Sequence, residues 1–138
     1  MNPVFLDTSA LFSTGHPGST HHAVCRDAYR RLLEDRKALV TTEFVVAEVH
    51  ALATARVGPH RAMRLLEGVT RAGRIDIVPV DAALRGAAIE FLRSRPGRPY
   101  SLADAVSFVV MRDRGATWAF TLDADFRAEG FSLIPAIE

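Results

Sequence analysis

Four acidic residues in this 138-residue chain, Asp7, Glu48, Asp104 and Asp123, lie far apart in sequence yet each sits beside an apolar run. Carboxylates gathered at one place repel each other unless a cation sits between them. Hard oxygen ligands without Cys or His at metal-ligand spacing point to Mg2+, with Mn2+ as a possible substitute. A site of that kind suits phosphodiester hydrolysis. The cation would bind a non-bridging oxygen, lower the pKa of a bound water and stabilise the leaving oxygen.

Asp7 directly follows Val4-Phe5-Leu6, and Asp123 follows Phe120-Thr121-Leu122 with Asp125 two residues on. Both therefore stand at the carboxyl ends of predicted strands. Asp104 lies early in the helix that opens after Ser101. Glu48 shares a helix face with Phe44 and Leu52, flanked by Val45 and Val49, so it interrupts an apolar stripe. A carboxylate there is costly unless paired, protonated or bound to a cation. Each acid also has an ordinary use. Asp7 fits a helix cap, Ser101-Leu102-Ala103-Asp104 a capping box, Asp123-Ala124-Asp125 a turn, and Glu48 a pair with an arginine. One shared site accounts for all four together.

The elements that must bring these acids together are legible in the periodicity. Strands are expected at Val4–Leu6, Leu39–Thr41, Ile75–Val78, Trp118–Thr121 and, more briefly, Phe131–Ile134. Helices are expected from about Thr20 to Lys37, with Val24, Ala28 and Leu32 spaced by four, and from Glu43 to about Arg56. Gly58-Pro59 stops that helix and starts another, to about Ala72 and Gly73. Asp81 caps a helix to about Arg93, Arg95–Pro99 is a turn, and Leu102 to about Asp113 is the last helix. Strands alternating with helices imply one α/β domain over residues 1–138, with a mostly parallel sheet of about five strands and helices on both faces. In such sheets ligands sit beyond the carboxyl ends of the strands.

Around these acids the sequence resembles the PIN-domain ribonucleases, and within them the VapC toxins of bacterial toxin–antitoxin pairs. Four segments carry the resemblance, in the family's order: Val4–Leu11, Thr41–Glu48, Tyr100–Ala105, and Ala119–Phe126 followed by Gly130-Phe131. It implies a PIN-like fold and a metal-dependent endoribonuclease with Asp7, Glu48, Asp104 and Asp123 at its acidic positions. Asp7 and Asp104 are then the main ligands, completed by Glu48 and Asp123. Thr8 or Ser9, and Thr121, match supporting hydroxyl positions, and Asp125 is an auxiliary ligand or a turn acid. A homodimer and a cognate VapB-type antitoxin that blocks the site are further implications.

Composition narrows the rest. Seventeen basic against sixteen acidic residues leave a net charge of +1, so bulk electrostatic binding to nucleic acid is disfavoured and local patches matter. Lys37 is the only lysine. Arg26, Arg30 and Arg98 are the candidates for RNA-backbone contact. His16, His21 and His22 read as exposed imidazoles in a Gly/Pro-rich loop, and Trp118 and the phenylalanines as core. A single cysteine, Cys25, excludes an internal disulfide, and the start of the chain lacks the features of a signal peptide. No apolar run is long enough to span a membrane, so a cytoplasmic location is expected. Two rivals stand beside the ribonuclease. A Mg2+ phosphatase of haloacid-dehalogenase type needs a second aspartate where Ser9 stands, and a non-catalytic RNA- or partner-binding module would bind without metal.

Overall fold

The computed structural model describes residues 2–71 and 73–136. The expected end, at about Ala72, of the helix that starts at Pro59 lies outside the described residues. Five parallel strands form one sheet in the order β3-β2-β1-β4-β5. They are β1 (Val4–Leu6), β2 (Leu39–Thr42), β3 (Ile75–Val78), β4 (Trp118–Phe120) and β5 (Ser132–Ile134). Between them run α1 (Thr8–Gly15), α2 (His22–Glu34), α3 (Glu43–Val57), α4 (Pro59–Thr70), α5 (Ala82–Arg93), α6 (Leu102–Arg114) and the single-turn α7 (Asp125–Ala128).

The strand order fixes where a ligand belongs. The chain steps outward from β1 to β2 to β3, then returns to lay β4 on the other side of β1, with Leu6 opposite Phe120. With right-handed crossovers, this reversal places α1–α4 on one face of the sheet and α5–α7 on the other. The β1/β4 boundary is thus a switch point, and Asp7 and Asp123 follow the two strands that flank it.

Local chemistry sets the helix ends. Thr42 caps α3 by accepting from the Val45 N–H at 3.2 Å, and Asp81 caps α5 by accepting from Leu84 N at 2.8 Å. Gly58 links α3 to α4 at φ 88°, a left-handed value that favours glycine, and Pro59 opens α4. The core beneath the site is aromatic. Phe108 meets Phe126, Tyr100, Phe91 and Phe131 at ring-centroid distances of 4.9, 5.1, 5.5 and 6.1 Å. Burying each such ring stabilises the fold by about 1.5–3 kcal/mol.

Several expectations need correction. Trp118 is 48% exposed: it opens β4 beside Val24 and Arg31 of α2 and Leu133 of β5, which cover only part of its ring. Phe44 is only half-buried. The buried face of α3 is Val45, Val49 and Ala53, so Glu48 projects away from the core and is exposed. On α2 the buried residues are Cys25, Ala28 and Leu32, while Val24 is 44% exposed. The stretch after Asp7 forms α1, and its last turn organises the histidines. The His16 ring packs on Phe12 at 5.2 Å, and His22 Nδ1 lies 2.9 Å from the Ser13 carbonyl oxygen. Only His21 of the three is exposed.

Candidate active site

Asp7 occupies the N-cap position of α1, yet its side chain makes no cap hydrogen bond. The carboxylate turns instead to groups brought in by β4. Thr121 Oγ1 donates to Asp7 Oδ2 at 2.7 Å, and Ser9 Oγ lies 3.3 Å from the same oxygen. Both hydroxyls also hold the loop after β4. Leu122 N donates to Ser9 Oγ at 2.9 Å, and Asp123 N donates to Thr121 Oγ1 at 3.0 Å. Ser9 and Thr121 thus both reach the Asp7 carboxylate through their hydroxyls, whereas Thr8 contributes its backbone N–H.

This carboxylate is buried, with 8% of the residue exposed. Burial raises its pKa from 3.8 to about 6, against the hydrogen bonds of Thr121 and Thr8, and the charges of Asp123 and Asp104 raise it further. Three chain-distant acids thus act on one another.

Asp104 opens α6 in a full capping box. Ser101 Oγ accepts from Asp104 N and Asp104 Oδ2 accepts from Ser101 N, both at 3.0 Å. That use leaves Oδ1 uncommitted among the described residues. The structural and functional readings of this residue are therefore compatible, and the box sets the direction of the carboxylate. Asp123 is likewise a turn acid, with Oδ1 accepting from Asp125 N at 2.9 Å.

Glu48 stands on the exposed side of α3 and faces Asp104. Partial desolvation, then the charge of Asp104, raises its pKa. Asp125 is raised by desolvation and by Asp123 and Asp104, and lowered by Arg98, whose Nη2 lies 3.9 Å from Asp125 Oδ1. The tertiary structure thus links the five acids pairwise, with Asp104 acting on Asp7, Glu48 and Asp125, and Asp123 on Asp7 and Asp125. It does not draw them into a closed cage. Among the described residues no three His, Cys, Asp or Glu side chains stand close enough to hold a metal ion as a group.

The donor set still fits a hard divalent cation. It is all carboxylate, it sits at the switch point, and its buried member carries a charge that its neighbours oppose.

Of the three arginines singled out in the sequence, only Arg98 reaches the acids. Arg26 and Arg30 lie on α2 and pair with Asp27 at 3.3 and 3.6 Å. The sequence reading missed Glu129, just after α7. Its side chain is 7% exposed and accepts from Arg95, Arg112 and Tyr100. No local motif announces it, since its partners lie 17 to 34 residues away.

Comparison with known proteins finds likenesses over nearly the whole chain. The 23S rRNA-specific endonuclease VapC20 of Mycobacterium tuberculosis is 33% identical over 129 residues, covering 93% of this chain and 95% of that protein. Its crystal structure, described as that of a sarcin-ricin-loop-cleaving toxin, superposes with a TM-score of 0.82 at 30% identity, over 93% of this chain and 95% of that one. DNA-bound VapBC from Salmonella typhimurium shares the fold at a TM-score of 0.64 and 17% identity, over 96% and 97% of the two chains. The family profile described as PIN domain matches residues 4–131, a span that takes in the switch point and every acid at its rim, so the chain belongs to the PIN-domain family.

Proposed function

We infer that this protein is a metal-dependent endoribonuclease of the VapC toxin type, cutting RNA phosphodiesters at the acidic rim. One observation carries the reading: a buried Asp7, clamped by Thr121 and Ser9, whose charge is opposed by Asp104 and Asp123 across the switch point. The 33% identity to a 23S rRNA-specific endonuclease supports it and makes structured ribosomal RNA the first substrate to test. Family membership displaces the haloacid-dehalogenase alternative, in keeping with Ser9 at the position where that chemistry needs an aspartate.

Asp7 and Asp104, with Glu48 and Asp123, would hold Mg2+, and Mn2+ would substitute. When bound, such an ion supplies Lewis-acid polarisation of a phosphoryl oxygen and a water of lowered pKa. The chain's own residues do the rest. Thr121 and Ser9 keep Asp7 Oδ2 fixed, the capping box aims Asp104, and Glu48, opposite Asp104, would help to orient the attacking water. Asp125 is auxiliary. We extend the reading to a cytoplasmic homodimer, silenced by a VapB-type antitoxin whose amphipathic helix lies in an apolar groove and whose basic residue reaches the acids. No helix among the described residues is long and apolar enough to cross a membrane.

The test incubates the protein with total RNA and with isolated ribosomal RNA, in Mg2+ and in chelator, beside Asp7→Asn. Discrete Mg2+-dependent fragments absent with the variant support the reading, and end mapping identifies the cut. Retention of RNA without cleavage in any divalent metal would instead favour the binding module.

A further inference from the structure

An acidic rim repels the RNA backbone it must bind, so the approach of a substrate depends on which cations the fold places beside it. Most arginines here are already engaged. Arg95 and Arg112 donate to Glu129, Arg93 to Glu90, and Arg26 to Asp27. Arg98 differs. A guanidinium carries five N–H groups. Among the described residues Arg98 commits only Nε, to Tyr100 Oη at 3.0 Å. Its Nη2 stands 3.9 Å from Asp125 Oδ1, beyond hydrogen-bond distance, and the side chain is 43% exposed. The outer fork thus faces the rim with its donors unspent.

The posture of that fork is imposed from below. The Arg98 guanidinium also lies over the Tyr100 ring, 5.2 Å from its centroid. Tyr100 is 8% exposed, and its hydroxyl donates to Glu129 Oε2 at 2.8 Å, which turns its lone pairs toward Arg98. Glu129 in turn takes a two-point contact from Arg95, at 3.3 and 3.1 Å, and a third donor from Arg112 at 3.2 Å. This hub joins the 95–100 turn, which leads into Ser101 and Asp104, to α7, which follows Asp123 and Asp125.

We propose that Arg98 is a phosphate-binding residue of the substrate site, taking a non-scissile phosphate of the RNA strand beside the cut bond. Tyr100 and Glu129 are its positioning residues. A planar fork held by Nε and backed by a ring is pre-organised for two-point contact with phosphate oxygens. The assignment rests on the ribonuclease reading and adds the residue that receives the backbone.

The experiment measures KM and kcat on an oligoribonucleotide spanning the mapped cut, and RNA affinity against salt in chelator. The proteins are wild type, Arg98→Ala, Arg98→Lys and Tyr100→Phe. Arg98→Ala should raise KM about tenfold with little change in kcat, and should flatten the log–log salt slope by about 0.7. Arg98→Lys should restore the slope but not the full KM, because an ammonium keeps the charge and loses the fork. Tyr100→Phe keeps the ring contacts with Phe91 and Phe108 but loses the hydroxyl bond to Glu129, so its melting temperature should fall modestly, and KM, measured well below that melt, should rise about threefold. Wild-type cleavage with unchanged KM and salt slope in Arg98→Ala would overturn the proposal alone, leaving Arg98 a partner of Asp125. A wild type that neither binds nor cuts RNA would overturn the proposal and the ribonuclease reading together.

Discussion

Two carboxylates in this protein are withdrawn from solvent and are pushed in opposite directions. Asp7 is buried, and Glu129, a half-buried residue, keeps only 7% of its side chain exposed. At Glu129 burial alone would raise the pKa, but hydrogen bonds from Arg95 and Tyr100 and the charges of Arg95 and Arg112 hold it below the ordinary value. At Asp7 burial wins, two hydroxyl-bearing residues give only partial relief, and Asp123 and Asp104 add repulsion. The hub is therefore a stabilising cross-link, whereas the rim is a liability to the fold. Protonation or a divalent cation at the rim would relieve the charge that burial and the neighbouring acids oppose at Asp7.

The largest break in this comparison is Asp7→Asn. RNA cleavage should fall by about a hundredfold or more, because an amide is a poor ligand for a hard cation. Stability should move the other way. The rise from 3.8 to about 6 corresponds to about 3 kcal/mol of destabilisation of the folded state at neutral pH. The folded state holds the Asp7 proton more tightly than the unfolded chain does. Wild-type stability from this group is thus full below the unfolded pKa and is lost as pH rises through about 6. Thermal melts of both proteins at pH 5 and pH 8 should show the variant gaining on wild type at the higher pH. Parallel melts would mean that Asp7 carries no such cost.

Glu48→Gln should lower cleavage about tenfold and weaken Mg2+ affinity, through loss of one carboxylate charge. It should leave melting temperature nearly unchanged because the residue is exposed. Unaltered cleavage and metal affinity would remove Glu48 from the site.

Glu129→Gln sharpens the other half of the comparison. Arg95 and Arg112 are 32% and 47% exposed, so solvent screens part of the loss, and a destabilisation of about 1–3 kcal/mol is expected by denaturant titration. Its pH dependence should be opposite to that of Asp7. The contribution of Glu129 is present above its unfolded pKa and is lost as pH falls through the lowered folded value, so the gap between variant and wild type should close in acid.

Ser101→Ala removes the hydroxyl that accepts from Asp104 N and should cost about 1 kcal/mol, with cleavage little changed, because the backbone N–H that holds Asp104 Oδ2 remains. A large loss of cleavage beside that ordinary stability loss would mean that the Ser101 hydroxyl itself acts in the site.

The sequence alone determined the elements and the acids that belong to them. Strand periodicity, the Asp81 and Ser101 caps, the Gly58-Pro59 break and the positions of Asp7, Asp104 and Asp123 at strand ends and helix starts are all local signals, set by residues a few positions apart. The family resemblance drew on those same segments. What tertiary structure alone decided involves partners far apart in the chain. Thr121 clamps Asp7 across 114 positions, and Tyr100 reaches Glu129 across 29. The side of α3 that meets the core, and hence the exposure of Glu48, was set by packing against α1 and α4 rather than by its own apolar pattern, which is nearly uniform around the helix. Trp118 was misjudged for the same reason: hydrophobic type is local, but burial depends on what the rest of the chain lays over a residue. A parallel sheet makes this unavoidable, because its neighbouring strands are joined only through long crossovers and its switch point exists only once they are closed.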